Sequence, residues 1–292
     1  MANTILETEL LKVQVSALGA QLASLVDKRT SREILWNADP SVWPWHAPNL
    51  FPVVGQCKNN SILIGLDQYP MKRHGFARNS MFTLVESTSS NAIFSLKDSP
   101  ETLKSYPFHF EFQLLYALVG NTLTVTFKVI NHTGTGLYFS VGAHPAFAMS
   151  DPEDPAFGDY YVEFSSPAPG HIYMLDDNGL FTGQTEPAPI ADGKMYFSKE
   201  LFDHDALVFK DVRAREVMLK RRNTTQAITL TFPDFPYLGV WSKPGSAFVC
   251  LEPWIGCADT AGADREFKDK EGMRFLEKGH VFEATFTISV AN

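Results

Sequence analysis

Apolar side chains take every second position in several separate stretches of this chain. Phe108-His109-Phe110-Glu111-Phe112-Gln113-Leu114 is one, and Thr122-Leu123-Thr124-Val125-Thr126-Phe127-Lys128-Val129 is another. Ile228-Thr229-Leu230-Thr231-Phe232 and Phe282-Glu283-Ala284-Thr285-Phe286-Thr287-Ile288 repeat the pattern. Successive strand side chains point to opposite faces, so each stretch buries one face and wets the other. Gly120-Asn121 separates two of them by a tight hairpin, and Asn131-His132-Thr133-Gly134 ends the next. No long stretch has a 3.6-residue period. The best helical candidate is short, Ser99 to Lys104, where Ser-Pro-Glu-Thr forms a start signal. Many short strands with few helices imply an all-β chain, an antiparallel sandwich or barrel. The Asp- and Pro-rich segment from Met149 to Phe157 reads as irregular, and Pro167 to Pro189 as an extended surface excursion. Neither resembles a linker, so residues 1–292 are expected to form one domain.

With 45% hydrophobic and 20% charged residues, the chain can fill a large core and is not disordered. The 23 Phe suit sheet interiors and supply flat surfaces for sugars. A net charge of −8 repels nucleic acid and anionic membranes, so neither is an expected partner. The N-terminus lacks a signal-peptide pattern, and no stretch of about 18 apolar residues exists to span a membrane. Cys57, Cys250 and Cys257 form no CxxC pair, which fits free, buried thiols in a reducing compartment, the cytoplasm. Nucleotide, P-loop, HExxH and GxSxG motifs are absent, and the His and Cys residues lack zinc spacing, so no metal is expected.

Five segments hold polar residues in unusual settings. His74 lies in Lys72-Arg73-His74-Gly75-Phe76-Ala77-Arg78, where a Gly permits a sharp turn or close ligand approach; the plainer reading is a solvated basic loop. His144, in Gly142-Ala143-His144-Pro145-Ala146-Phe147, ends a strand in an apolar frame and can donate a proton near neutrality; it can equally be a hydrogen-bonded core histidine. Glu252, in Cys250-Leu251-Glu252-Pro253-Trp254-Ile255-Gly256, closes an apolar strand. Burial there raises its pKa toward that of a general acid or base, whereas an edge position would merely wet it. Asp259 follows and can share its loop. Trp43-Pro44-Trp45 builds a rigid wall for core packing or for a sugar face. Asp203-His204-Asp205 precedes an apolar strand and serves either as a strand-start turn or as a binding group.

Together with Asn49-Leu50-Phe51-Pro52-Val53-Val54-Gly55, these segments, in this order, resemble the galactose mutarotase (aldose 1-epimerase) superfamily, in particular its LacX-like bacterial branch. The resemblance spans nearly the whole chain and implies a large twisted antiparallel β-sandwich. It implies a cofactor-free isomerase that interconverts the α and β anomers of an aldohexose, as a monomer or homodimer. His144 maps onto the family's general acid and Glu252 onto its general base. His74, Arg78 and Asp205 map onto sugar-binding groups, with Asp203 as the alternative to Asp205. Trp254 or Trp45 would stack on a sugar face. One departure stands out: the family's arginine after the first motif is replaced by Gln56, which carries no charge, and Arg78 or Lys58 would have to substitute.

In the implied chemistry Glu252 takes the anomeric hydroxyl proton while His144 protonates the ring oxygen. The opened aldehyde rotates and recloses. Two other readings stay open. Lys72, Arg73 and Arg78 would suit a hexose 6-phosphate, and Gln56 would suit a non-catalytic sugar-binding protein. A glycoside hydrolase is disfavoured by the lack of a paired-carboxylate strand motif.

Overall fold

The computed structural model describes residues 3–149 and 155–291. The alternating stretches form strands: Phe110–Val119, Thr122–Asn131, Ala227–Thr231 and Val281–Ala291. The first two bury every second residue and pair antiparallel across Gly120-Asn121, with Val119 opposite Thr122. The short helix is present as Pro100–Leu103. Ser99 caps it: its hydroxyl accepts from the Thr102 N–H, and the Thr102 hydroxyl accepts from the Ser99 N–H.

These strands build a nine-stranded antiparallel sheet, in the order Lys194–Tyr196, Tyr160–Phe164, Glu216–Arg221, Ala227–Thr231, Val281–Ala291, Thr122–Asn131, Phe110–Val119, Asn91–Lys97 and Thr83–Ser87. A second sheet runs Phe181–Pro187, His171–Leu175, Leu207–Phe209, Tyr237–Trp241, Phe248–Ile255, Val141–Ala143 and Asn49–Leu50, with Ala146–Ala148 also paired to Phe248–Ile255. Thr4–Glu7, Leu11–Val15, Leu22–Asp27 and Arg32–Glu33 form a smaller sheet. The architecture is an antiparallel β-sandwich, one of the two arrangements the alternation allowed and the one the resemblance implied. Apolar residues of these three sheets meet in one core. Aromatic rings knit its middle: Phe51 stacks on Phe112 at 4.5 Å, and Phe127 meets Phe112, Phe235 and Phe286 edge-on at 5.8–6.0 Å.

Two expectations change. The segment from Pro167 to Pro189 is not a free excursion: His171–Leu175 and Phe181–Pro187 pair as the edge hairpin of the second sheet. Phe181–Pro187 exposes every residue after its first, so it shows no apolar alternation to read. Glu252 does not close its strand, which runs on to Ile255 in the middle of the sheet with every residue buried. Part of the segment expected to be irregular, residues 150–154, lies outside the described residues.

The strand Phe248–Ile255 divides its side chains by parity. Val249, Leu251 and Ile255 enter the main core, while Phe248, Cys250 and Trp254 join two smaller clusters on the other face. Glu252 shares that second face. Pro253, which cannot donate to a ladder, is tolerated centrally because of a gap. Backbone groups of residues 251 and 253 point to one side, where Leu251 N–H bonds the Pro145 carbonyl and the neighbouring ladder breaks between Val141–Ala143 and Ala146–Ala148. His144 sits in that break. Among the described residues no helix is long and apolar enough to cross a membrane.

Phe127→Ala removes the ring at the centre of the aromatic cluster. It should cost about 3–5 kcal/mol in urea unfolding; a loss below about 1 kcal/mol would show that the cluster collapses onto the space.

Candidate active site

The second face of the strand Phe248–Ile255 floors a cavity of about 270 Å³. Small-molecule pockets run roughly 300–1,000 Å³, so this one suits a compact ligand. Trp43, Trp45 and Trp241 wall it on one side and the hairpin residues Leu175, Gly179 and Phe181 on the other. Trp254 lies flat across the floor over two glycines. A Cβ at Gly142 would stand 2.6 Å from the indole Cδ1, and one at Gly239 would stand 2.7 Å from its Cη2 and Cζ2. Only glycine leaves room for the ring there.

His144 and Glu252 meet in this cavity, 6% and 1% exposed. His144 Nε2 is 3.1 Å from Glu252 Oε2, and Oε2 has no hydrogen-bond partner. Trp43 stacks on the imidazole at 5.0 Å and Trp241 meets it edge-on at 5.8 Å. Burial, with help from the Arg78 charge, pushes the His144 pKa down to about 3. Burial and the nearby Asp205 push Glu252 well above the carboxylate range, against the pull of the Trp254 indole N–H and of Arg78. Both groups are thus driven neutral, and the empty pair keeps a single proton on the carboxyl.

His74 stands edge-on to His144 at 5.6 Å. Its Nδ1 accepts the Gly55 N–H at 3.1 Å while the His74 backbone N–H donates to the Gly55 carbonyl at 2.9 Å. Burial and the surrounding cations hold it neutral, so the ring proton sits on Nε2 and makes it a donor. His74 and Asp205 both adopt left-handed backbone, φ 66° and 71°, a strain of about 1–3 kcal/mol each that clusters here at the pocket. Gly75 completes the His74 turn: a Cβ there would fall 2.2 Å from the Phe51 carbonyl oxygen. Arg78 lies over the Trp45 ring at 4.8 Å, and its Nη2 donates to the Arg73 carbonyl at 3.1 Å. Buried polar atoms without a hydrogen-bond partner, among the described residues, are Arg78 Nε, His144 Nδ1, Glu252 Oε2 and Trp254 Nε1; all four residues line this cavity.

The expected site residues His74, Arg78, His144, Asp205, Glu252, Trp254 and Gln56 are therefore brought together. Asp205 rather than Asp203 faces the cavity; Asp203 is exposed. Lys58 does not replace the missing arginine: its Nζ bonds Asp264 at 2.6 Å in a neighbouring cavity. Asp259 stands behind the wall, joining Lys270 at 2.7 Å and the Lys58 N–H at 2.8 Å. Trp241 and the 171–187 hairpin were not foreseen at the cavity, and Arg73 was foreseen only as a cation that would suit a 6-phosphate. The three cysteines are free and buried. His144, Cys250 and Glu252 hold possible ligand atoms within 4.8 Å of one another.

Because folding lifts the Glu252 pKa, the unfolded chain gains from ionising above the ordinary carboxylate range while the folded chain does not. Stability from this residue is therefore lost as pH rises past that range. Glu252→Gln should raise Tm by roughly 2–8 °C at pH 7.5, and the gain should vanish near pH 4, where both states hold the proton. A lowered Tm at pH 7.5 with native circular dichroism would contradict the assigned direction.

The sequence profile of the family described as "Aldose 1-epimerase" matches residues 2–288. Plasmid-encoded protein LacX of Lactococcus lactis subsp. lactis is 34% identical over 98% of this chain and 99% of its own. A galactose mutarotase related enzyme from Lactobacillus acidophilus superposes with a TM-score of 0.94 at 33% identity, covering 99% of this chain and 97% of that one. A galactose mutarotase-like protein from Lactobacillus casei gives 0.94 at 28%, covering 99% and 100%. With a matching profile along almost its whole length and a cavity built from the residues expected of such an enzyme, the chain belongs to the aldose 1-epimerase family.

Proposed function

We propose that residues 1–292 form one catalytic domain that interconverts the α and β anomers of an unphosphorylated aldohexose, with Glu252 and His144 as the proton-transfer pair. The observation that carries this reading is the 3.1 Å approach of a buried carboxyl to a buried imidazole, in a cavity lined by unmet donors and acceptors. A sugar supplies what those atoms lack: hydroxyls that donate to Glu252 and oxygens that accept from His144, Arg78 and Trp254.

The pair needs its single proton on His144 before the first step, and the 3.1 Å approach, once the imidazole turns to align with the carboxyl, is the path for it. A hydroxyl donating to Glu252 favours the carboxylate, and the Arg78 charge acts the same way. Glu252 then takes the anomeric O–H proton, C1–O5 breaks as C1=O forms, and His144 delivers its proton to O5. Rotation about C1–C2 and closure with the transfers reversed give the other anomer. His74 Nε2–H, Arg78 and Asp205 hold hydroxyls during rotation, and the Trp254 face packs against the ring. No step calls for a cofactor. Of the three cations that suit a 6-phosphate, only Arg73 and Arg78 line the cavity, and Arg73 already faces Asp205. That balance favours a neutral sugar.

Glu252→Gln and His144→Asn should each lower polarimetric mutarotation of glucose or galactose by about 10²–10⁴-fold with the fold intact. Near-normal rates in either variant would remove the assignment, and sugar binding by the wild type without acceleration would leave a binding protein. The pair works with one proton, so its acid limb lies where His144 gains a second, displaced to about 3. Acidification from about pH 7 to 5 should lower kcat/KM by less than roughly twofold; a fall on acidification centred on the ordinary histidine pKa would refute the one-proton pair.

A further inference from the structure

We infer that Arg73 is the specificity-determining residue of the cavity, paired with Asp205 as a donor–acceptor fork that reads adjacent hydroxyls of a neutral sugar. This rests on the mutarotase reading of the site. The guanidinium bridges three separate chain segments. Its Nε donates to Gln56 Oε1 at 3.2 Å, its Nη2 to the Asn178 carbonyl at 2.9 Å, and its Nη1 lies 3.8 Å from Asp205 Oδ2. Gln56 is turned to serve it: the amide nitrogen is occupied by the Cys57 carbonyl and Asn60 Oδ1, both at 2.8 Å, which leaves the oxygen toward Arg73.

The hairpin turn is shaped around the same group. A Cβ at Gly179, where φ is +76°, would stand 2.2 Å from Nη2, so a side chain there shifts the guanidinium from this position. The 3.8 Å gap to Asp205 is too long for a hydrogen bond, so both partners keep capacity for a ligand. Asp205 Oδ1 is held by the Ala206 N–H at 2.9 Å, which fixes the acceptor beside the donor. A planar cation with donors to spare, next to a carboxylate, presents hydrogen-bonding capacity with little net charge. Such a pair fits two neighbouring hydroxyls and repels neither, whereas a phosphate would face the carboxylate.

The test titrates glucose, galactose and the monodeoxy glucoses against intrinsic tryptophan fluorescence and follows mutarotation of the same sugars. Arg73→Gln should raise KM and Kd for the parent sugar about tenfold to a hundredfold, leave kcat within about threefold, and abolish the wild-type penalty for deoxygenation at one or two adjacent carbons. Arg73→Lys keeps the charge but not the fork and should not restore that penalty. Gly179→Ala, which leaves residue 73 in place, should weaken binding in the same direction. Asp205→Asn should raise the ratio of kcat/KM on glucose 6-phosphate to that on glucose. Unchanged Kd and an unchanged deoxy-sugar profile in folded Arg73→Gln would overturn the inference while wild-type mutarotation still upheld the enzyme reading. A wild type that binds no aldose would overturn both.

Discussion

Everything in the cavity depends on keeping water away from one carboxyl and one imidazole. In water each would titrate at its ordinary value and the two would form a screened ion pair. Sunk among Trp43, Trp241, Phe248 and Trp254, they share a single proton and neither carries charge cheaply. The fold maintains this by placing Glu252 in the middle of a sheet and His144 in a gap of the adjoining ladder. Two prolines bracket the couple, Pro145 and Pro253. Their missing N–H groups fall where the ladder is already interrupted, so the interruption that lets His144 in leaves little unsatisfied. The destabilisation is local, and the aromatic core on the opposite face of the same strand offsets it.

The remaining polar groups are arranged around that couple rather than with it. His74 and Asp205 are held in left-handed backbone, one by exchange of hydrogen bonds with Gly55, the other by its own neighbour's N–H. These are fixed donors and acceptors whose strain is met by the surrounding framework. Arg73 stands apart in that its guanidinium joins three separate segments, so it reports whether the loop, the turn and the hairpin are correctly assembled.

How much of this was legible follows from where the information resides. Strands such as Thr122–Asn131 lie with one face to the core, so alternation betrays them directly. Phe248–Ile255 is buried on both faces and alternates nothing, which is why Glu252 looked like a strand end from the residues alone. Its role came from the ordered motifs, not from periodicity. The 171–187 hairpin hid for the opposite reason, since its outer strand is wet on both faces. Arg73 could not be placed by any local rule. Its partner carbonyl at Asn178 lies 105 residues away, and only the folded chain brings them to 2.9 Å. The resemblance favoured Asp205 over Asp203, but two residues of slip leave the pattern unchanged, and it is the folded chain that puts Asp205 at the cavity and leaves Asp203 exposed.

The bare backbone beneath Trp254 has a consequence for how such a chain can diversify. With positions 142 and 239 barred to any side chain, the depth of the cavity is not adjustable from below. Variation in what the protein accepts must enter from the rim, through the turn at Asp176–Gly179, the approach to Leu207–Phe209 and the segment that carries Gln56. Those pieces can change without disturbing the strand that carries Glu252 or the gap that holds His144. A lineage built this way would keep one chemistry and redraw its clientele at the edges.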